Sequence, residues 1–350
     1  MIGARPSTDG ALDPVALAVA LMEVESTSGR EHDVVALSER LLVERGWRTR
    51  RIPVSEGRAD LLASSGNAPA VTLSTHLDTV PPFIPPRLDG GRLYGRGACD
   101  AKGIAAAMVC AAERLRDGGV PVALLFVVGE ETTHDGAHAA NAAAVPPSCR
   151  VLINGEPTES TLAVGTKGAV RVTVTTTGRA AHSAYPHLGR SATADLVRLL
   201  AELDALDLPR DPVLGDTTIN IGRLAGGVAD NVLAPWAEAR LMARIVTPVD
   251  EVLAILRRWA DGRATIDVGV FVPAVHLATV PGFPTSVAAF ATDIPALTNW
   301  GRPYLFGPGS IHVAHTDGEY VEIGELRAAV DAYERLARLA LEREGLGCGV

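Results

Sequence analysis

The sequence predicts an α/β fold with a smaller α+β unit inserted into it. Three observations predict it. Apolar runs alternate with helix-patterned segments in the first part of the chain, and the longest run, VPVALLFVV from Val120, is apolar throughout, as a strand covered on both faces requires. Around Gly165 the texture changes to strict apolar–polar alternation. The first texture then returns near the C-terminus.

Taken in order, Pro14–Gly46 carries apolar residues at helical spacing (Val15, Leu17, Leu21, then Val34, Leu37, Leu41, Leu42), broken by the polar run Ser26–Gly29. Strands are expected at Val71–Leu77, Val120–Val128 and Val151–Ile153, with an alanine-rich helix at Ile104–Arg116. Strands alternating with helices give a sheet whose sites gather at the carboxyl ends of its strands. Beyond Gly165, Ala169–Thr177 (AVRVTVTTT) has the period of a half-solvated strand. A helix at Thr193–Leu206, strands at Thr217–Arg223 and Ala237–Arg244, a helix at Val249–Ala260 and a strand at Ala264–Val270 follow. That β-α-β-β-α-β order is ferredoxin-like. The chain returns through Thr285–Thr292, Pro303–Phe306 and a terminal helix, Glu325–Arg343. The expected division is residues 1–167 with 276–350 as one domain and 168–275 as the insert.

Composition narrows the function. In 350 residues, 47% are apolar and 21% charged, which suits a globular protein. Thirty-two Lys and Arg against 41 Asp and Glu leave a net charge of −9, which argues against nucleic acid or an anionic membrane as partner. Aromatic residues, at 4%, are too scarce for base-stacking platforms. The opening MIGARPSTDGALDP lacks a basic-then-apolar signal pattern, and no stretch approaches the ~18 apolar residues of a membrane span. Cys99, Cys110, Cys149 and Cys348 form no CxxC pair, and a reducing, cytoplasmic location is expected.

The chemistry sits at or just after the apolar runs. His76 and Asp78 close VTLSTHLDTV, Asp100 lies in LYGRGACDAKG, Glu130 and Glu131 end FVVGEE, Glu156 follows VLINGEP, and His315 stands in FGPGSIHVAHTDGEYV. Each alone reads as a solvated or hydrogen-bonded polar residue. Five such clusters at strand ends point further, because charge is costly to bury unless paired or metal-bound. Two imidazoles and three carboxylates form a donor set that zinc, cobalt or manganese accepts. Two ions about 3.5–4 Å apart need one carboxylate between them. Asp78, two residues past His76 on an extended chain, is positioned to accept the other imidazole N–H. Glu130, beside a ligand but pointing the other way, is placed to take a proton from water.

The motifs STHLDTVP, GRGACDAKG, GEE, GEPT and AHTDGEYV, in this order and spacing over nearly the whole chain, resemble the dizinc amidohydrolase family of acetylornithine deacetylase, succinyl-diaminopimelate desuccinylase and glutamate carboxypeptidase. The resemblance implies a mixed-sheet, zinc-peptidase-like catalytic domain with a ferredoxin-like lid through which a homodimer forms. It implies that His76, Asp100 and Glu156 hold one ion and that Asp100, Glu131 and His315 hold the other, with a cis peptide bond after Asp100. Zn2+ is the expected metal, with Co2+ or Mn2+ as alternatives. Glu130 would be the general base and Asp78 the acid that orients His76. His182, in GRAAHSAYPHLGRSA, would stabilise the oxyanion, in its own or a neighbouring subunit's site. Asn231 and Arg244 would hold a substrate carboxylate, and the GPGS turn with Gly307 and Gly309 would cradle substrate. Closure of the insert would bring its residues into range.

One departure stands out: Gly189-Arg190-Ser191-Ala192 replaces the family's Gly-x-Asn-Ala, so Arg190 becomes a candidate for altered substrate choice. His312 competes with His315, and the AHTDGEYV context favours His315. His134 and His138, four apart, read as exposed or helix-start residues, and His187 and His276 as structural or exposed. Cys99 reads as a small buried residue, Arg96 and Lys102 as loop-stabilising or substrate-facing, and Lys167 as a hinge or contact residue. Glu156, where other branches have Asp, points to the deacylase and carboxypeptidase branch. The expected activity is deacylation of an N-acyl amino acid. A carboxypeptidase or dipeptidase acting on short peptides is the alternative, and a non-catalytic metal- or ligand-binding relative a third reading.

Overall fold

The computed structural model describes residues 10–143 and 145–346, so the N-terminal segment up to Asp9 and Cys348 lie outside the described residues. The chain divides into two compact units: residues 1–164, 277–286 and 292–350 form the first, and residues 165–276 with 287–291 the second. The second unit therefore starts three residues before the expected insert and includes a short segment of the returning chain.

The first unit is built on a six-stranded mixed sheet in the order Arg48–Ser55, Arg58–Ser64, Val122–Val127, Val71–His76, Val151–Asn154, Arg302–Leu305. The last four run parallel to one another, and the Arg48–Ser64 hairpin adds antiparallel to one edge. Both faces of the Val122–Val127 strand are covered. Leu124, Phe126 and Val128 enter one apolar cluster, with helices Pro14–Met22, Lys102–Asp117 and Ile323–Arg343, while Ala123, Leu125 and Val127 enter another, with Ala137, Ala140 and Trp300. This is why the sequence there shows no alternation.

The second unit is a four-stranded antiparallel sheet whose strands, numbered along the chain, lie in the spatial order second, third, first, fourth: Thr218–Gly226, Trp236–Ile245, Gly168–Thr177, Thr265–Val272. Val170, Val172 and Val174 point to helices Ala192–Leu200 and Val249–Ala260, and the intervening residues are less buried. That half-covered face is the origin of the AVRVTVTTT alternation.

One expectation is corrected. The helix expected over Thr193–Leu206 ends at Leu200, and Leu203–Ala205 form only a 3-10 turn, ahead of Pro209. In the returning stretch Thr285–Thr292, Thr285–Ala288 form a strand. The hairpin Arg48–Ser64 was not expected. Its outer strand, RTRRIPVS, buries only Ile52 and so carries no apolar pattern.

Candidate metal centre

Four neighbouring parallel strands deliver the candidate ligands at their carboxyl ends, as an open α/β sheet should. His76 is the last residue of Val71–His76, Glu156 lies two past Val151–Asn154, Glu131 follows Val122–Val127, and His315 lies in the loop after Arg302–Leu305. Asp100 precedes helix Lys102–Asp117, and the peptide bond after it is cis.

The five side chains meet. One donor atom each from His76, Asp100 and Glu156 lies within 4.8 Å of the others, and the same holds for Asp100, Glu131 and His315. Asp100 belongs to both groups through different oxygens: Oδ1 is 3.0 Å from His76 Nε2, and Oδ2 is 3.2 Å from His315 Nε2. His315 Nε2 is also 3.1 Å from the Glu131 carboxylate. His312 is exposed and joins neither group.

The residues fit two divalent cations on two counts. Glu156 is 4% exposed, yet its Oε1 has no hydrogen-bond partner, which leaves a buried carboxylate oxygen in want of a cation. Two imidazoles and three carboxylates are also hard-to-borderline donors of the kind such ions accept. Cys99 joins neither group; its Sγ lies 3.7 Å from the Ser310 carbonyl and 3.7 Å from Glu319 Oε1.

Asp78 does more than its spacing suggested. His76 Nδ1 lies 2.9 Å from the Asp78 main-chain carbonyl and 3.5 Å from its carboxylate, so both face the imidazole and fix its tautomer. The carboxylate accepts the Ser28 hydroxyl at 2.7 Å and the backbone N–H groups of Glu130 and Glu131 at 3.1 and 3.2 Å. Asp78 thus holds the turn that presents the candidate base and a ligand together. Gly129 opens that turn at φ +78, where an added Cβ would lie 2.1 Å from Asp135 Oδ1. Burial, then the Glu156 charge, raises the Glu130 carboxyl well above the ordinary carboxylate range.

Glu319, in the AHTDGEYV motif, received no role from the sequence. It is 1% exposed and pairs with Arg96 at 2.6 Å. Its other oxygen accepts the backbone N–H groups of Gly97 at 2.9 Å and of Cys99 and Asp100 at 3.3 Å. Arg96 also donates to the Thr316 carbonyl at 3.2 Å. The pair therefore ties the Asp100 loop to the His315 loop, and Arg96 is buried rather than substrate-facing. Lys102 is buried as well, donating to the Val24 carbonyl at 2.6 Å, and burial lowers its ammonium to about 7. The signal was a Glu four residues past a ligand; what it reaches across 219 residues of chain to Asp100 was not visible.

Gly307 and Gly309 allow close packing. A Cβ on Gly307 would lie 2.4 Å from the Glu156 carbonyl, and one on Gly309, at φ +85, 2.4 Å from Cys99 Cβ. Their N–H groups are already donated, to Thr158 Oγ1 and Glu325 Oε1, both at 3.0 Å.

His182, Asn231 and Arg244 belong to the second unit. His182 is exposed, and its Nδ1 accepts the Ala184 N–H at 3.1 Å, which puts the neutral ring's proton on Nε2 as a free donor. Asn231 is exposed, and its carbonyl accepts the Ser183 N–H at 2.9 Å. Arg244 is partly buried and forms no salt bridge among the described residues; burial, then Arg171, lowers its guanidinium. Arg190 pairs with Asp195 at 2.6 Å, Lys167 donates to the Asp216 carbonyl at 2.7 Å, and His276 pairs with Asp211 at 3.1 Å. His187 and His138 are exposed, but His134, just before helix Asp135–Ala143, is not: it is partly buried against Asp293.

A family model described as Peptidase family M20/M25/M40 matches residues 72–339. A probable carboxypeptidase of Aspergillus flavus is 36% identical over 92% of this chain and 86% of its own length. Among solved structures, a tripeptidase from Staphylococcus aureus superposes with a TM-score of 0.78 at 19% identity, covering 95% of this chain and all of its own. A dinuclear metal-binding peptidase of Bacillus subtilis superposes with a TM-score of 0.71 at 15% identity, covering 94% of this chain and 98% of its own.

Proposed function

The chain belongs to peptidase family M20/M25/M40, a premise from which we propose that it hydrolyses the amide bond joining an acyl group to an amino acid with a free carboxylate. The observation that carries the reading is the shared Asp100, whose two oxygens face two imidazoles at 3.0 and 3.2 Å, with the Glu130 turn alongside. His76, Asp100 and Glu156 would hold one divalent ion and Asp100, Glu131 and His315 the other, with zinc the first candidate and cobalt or manganese the alternatives. The pair would supply a Lewis acid for the scissile carbonyl and lower the pKa of water.

The protein's own groups carry the protons. Glu130 takes one from the attacking water and returns it to the leaving nitrogen as the C–N bond breaks, releasing an acid and a free amine. Asp78 holds Glu130 through its backbone, so the base stays in register with Glu131. His182 donates its Nε2–H to the oxyanion, and Arg244, a guanidinium without a carboxylate partner among the described residues, takes the substrate's carboxylate with Asn231. Glu156 adds weight to a deacylase or carboxypeptidase. Three buried free cysteines among the described residues fit a reducing compartment.

A carboxypeptidase acting on short peptides is the second reading, favoured by the name of the Aspergillus flavus relative. Purified zinc- or cobalt-loaded protein assayed on N-acetyl, N-succinyl and N-formyl amino acids beside a dipeptide panel separates the two. In either case Glu130→Gln keeps its bound metal and loses about 10²–10⁴-fold in turnover; near-normal turnover would sink the assignment. Arg244→Ala lowers kcat/KM about 10–100-fold on free acids, whereas an equal loss on the matching carboxamides would show that it does not read the carboxylate.

A further inference from the structure

Behind Glu130 lies a second group of donors that the two-ion reading does not use. His134 Nδ1 is 2.8 Å from Asp293 Oδ1 and 3.8 Å from Glu130 Oε1, and one donor atom from each of the three residues lies within 4.8 Å of the others. Two donors of one tetrahedral ion bound at 2.0–2.1 Å stand about 3.3 Å apart, a value these separations bracket. The five-residue centre shows the same kind of spacing, 3.0–3.2 Å between imidazole nitrogen and carboxylate oxygen.

Two further features mark the group as built for something. Asp293 is 1% exposed and its Oδ2 has no hydrogen-bond partner. It sits at the start of the 3-10 turn Ile294–Ala296 but makes no capping hydrogen bond there. His134, its one ion-pair partner among the described residues, sits at φ +55, a left-handed backbone uncommon outside glycine but one that histidine enters more readily than most. A buried carboxylate with a spare oxygen, an imidazole fixed in an uncommon backbone and a second carboxylate make a three-donor set that leaves a position open. The two carboxylates would balance a divalent charge.

We propose that Glu130, His134 and Asp293 form a third divalent-cation site, and that zinc bound there engages Glu130 and so inhibits the enzyme. The inference rests on the two-ion centre and on Glu130 as its base. Repulsion from two neighbouring ions makes the third site the last to fill. Once one oxygen of its carboxylate is a ligand, the ion's charge lowers the basicity of the whole group and Glu130 no longer takes a proton from water, so loading the centre and overloading it have opposite effects on turnover.

Zinc bound per chain, measured by equilibrium dialysis with elemental analysis, tests this alongside turnover on the best substrate. Wild type should bind three ions, and zinc at ten times the Kd of the third site should leave about one-tenth of the turnover seen with two. His134→Asn tolerates the left-handed backbone and still donates to Asp293, but lacks the imidazole. It should stop at two ions and keep its own turnover within about twofold when zinc is raised. Asp293→Asn, nearly isosteric, should do the same and serves if the first variant folds poorly. A wild type that saturates at two ions without inhibition overturns the proposal and leaves the two-ion centre standing. Variants that still bind three ions or remain inhibited reduce His134 and Asp293 to a hydrogen-bonded pair. A wild type that binds fewer than two ions sinks the underlying centre together with the third site.

Discussion

The two halves of the centre share Asp100 but are anchored in different ways. His76 has a side chain 1% exposed and ends a central strand whose parallel neighbour leads into Glu156. His315 is 47% exposed and sits on a loop at φ +64. The first half is thus an extension of the core, positioned by the register of two buried strands. The second depends on a loop that must be tied down, and the Arg96–Glu319 pair ties it. The fold itself builds one half; a buried ion pair builds the other.

Removing each imidazole should break this comparison most sharply. His76→Ala leaves the Asp100 and Glu156 carboxylates buried without their cationic neighbour, and removal of one partner from a buried charged group costs about 3–5 kcal/mol. His315→Ala also strips a partner from the buried Asp100 and Glu131 carboxylates, but water reaches that half-exposed position, so it should cost the metal-free protein less, about 1–3 kcal/mol. Both should weaken zinc binding by more than the roughly 10–100-fold typical of an outer-shell change. Urea unfolding of the metal-free variants checks the contrast: equal losses of stability would show that the halves are not anchored differently.

Much of this was legible in the sequence, for a physical reason. Strands covered on both faces must be apolar throughout, so VPVALLFVV announced itself, and the charged residues just past such runs had to serve a purpose at the sheet's end. The ferredoxin-like insert was equally readable from AVRVTVTTT, since one face of its sheet is less covered. What stayed hidden depends on contacts that spacing does not encode. The edge strand RTRRIPVS buries one residue and so has no pattern. Asp78 faces His76 as its spacing suggested, but its carboxylate also accepts the backbone N–H groups of Glu130 and Glu131, partners set by the fold rather than by local geometry. Glu319 and Asp293 drew no reading from the sequence; their burial, against Arg96 in one case and His134 in the other, is what marks them out.

Glu319→Gln sharpens the loop half of the comparison. It should weaken the ion held by Asp100, Glu131 and His315 about 10–100-fold while sparing the His76 ion. It should also cost about 3–5 kcal/mol by leaving Arg96 buried and unpaired. Adding Arg96→Met should recover stability without recovering metal affinity. Recovery of both would mean that Glu319 only neutralises Arg96 and does not position the loop.

The dependence of stability on pH tests the core half. Asp60, buried on the Arg58–Ser64 strand, accepts the Val128 N–H at 3.0 Å and has a second oxygen without a hydrogen-bond partner. Burial first, then Asp293 and Asp135, push its carboxyl up to about 8. Between its ordinary value near 4 and 8, the folded chain keeps a proton that the unfolded chain releases, so stability falls as pH rises, by at most about 1.4 kcal/mol per unit. Below that window the effect is absent, and above about 8 it is complete. Asp60→Asn keeps the acceptor for Val128 and should flatten that slope in urea unfolding run from about pH 5 to 8. An unchanged slope would assign the pH dependence to other groups.

The smallest effect belongs to the second unit, at the position where the sequence departs from its family. Arg190 has a side chain 62% exposed and pairs with Asp195 at 2.6 Å, in the first turn of helix Ala192–Leu200. An exposed pair of this kind contributes no more than about 1 kcal/mol, so Arg190→Ala should barely move the unfolding midpoint. Its value lies in separating two roles that one side chain can fill. If Arg190 only steadies the start of that helix, Arg190→Lys should behave like wild type and all substrates should be affected alike. If it reads substrate, kcat/KM should fall for one class of acyl group and not another at unchanged stability, because a solvated guanidinium released from Asp195 gains a partner only where the substrate offers one.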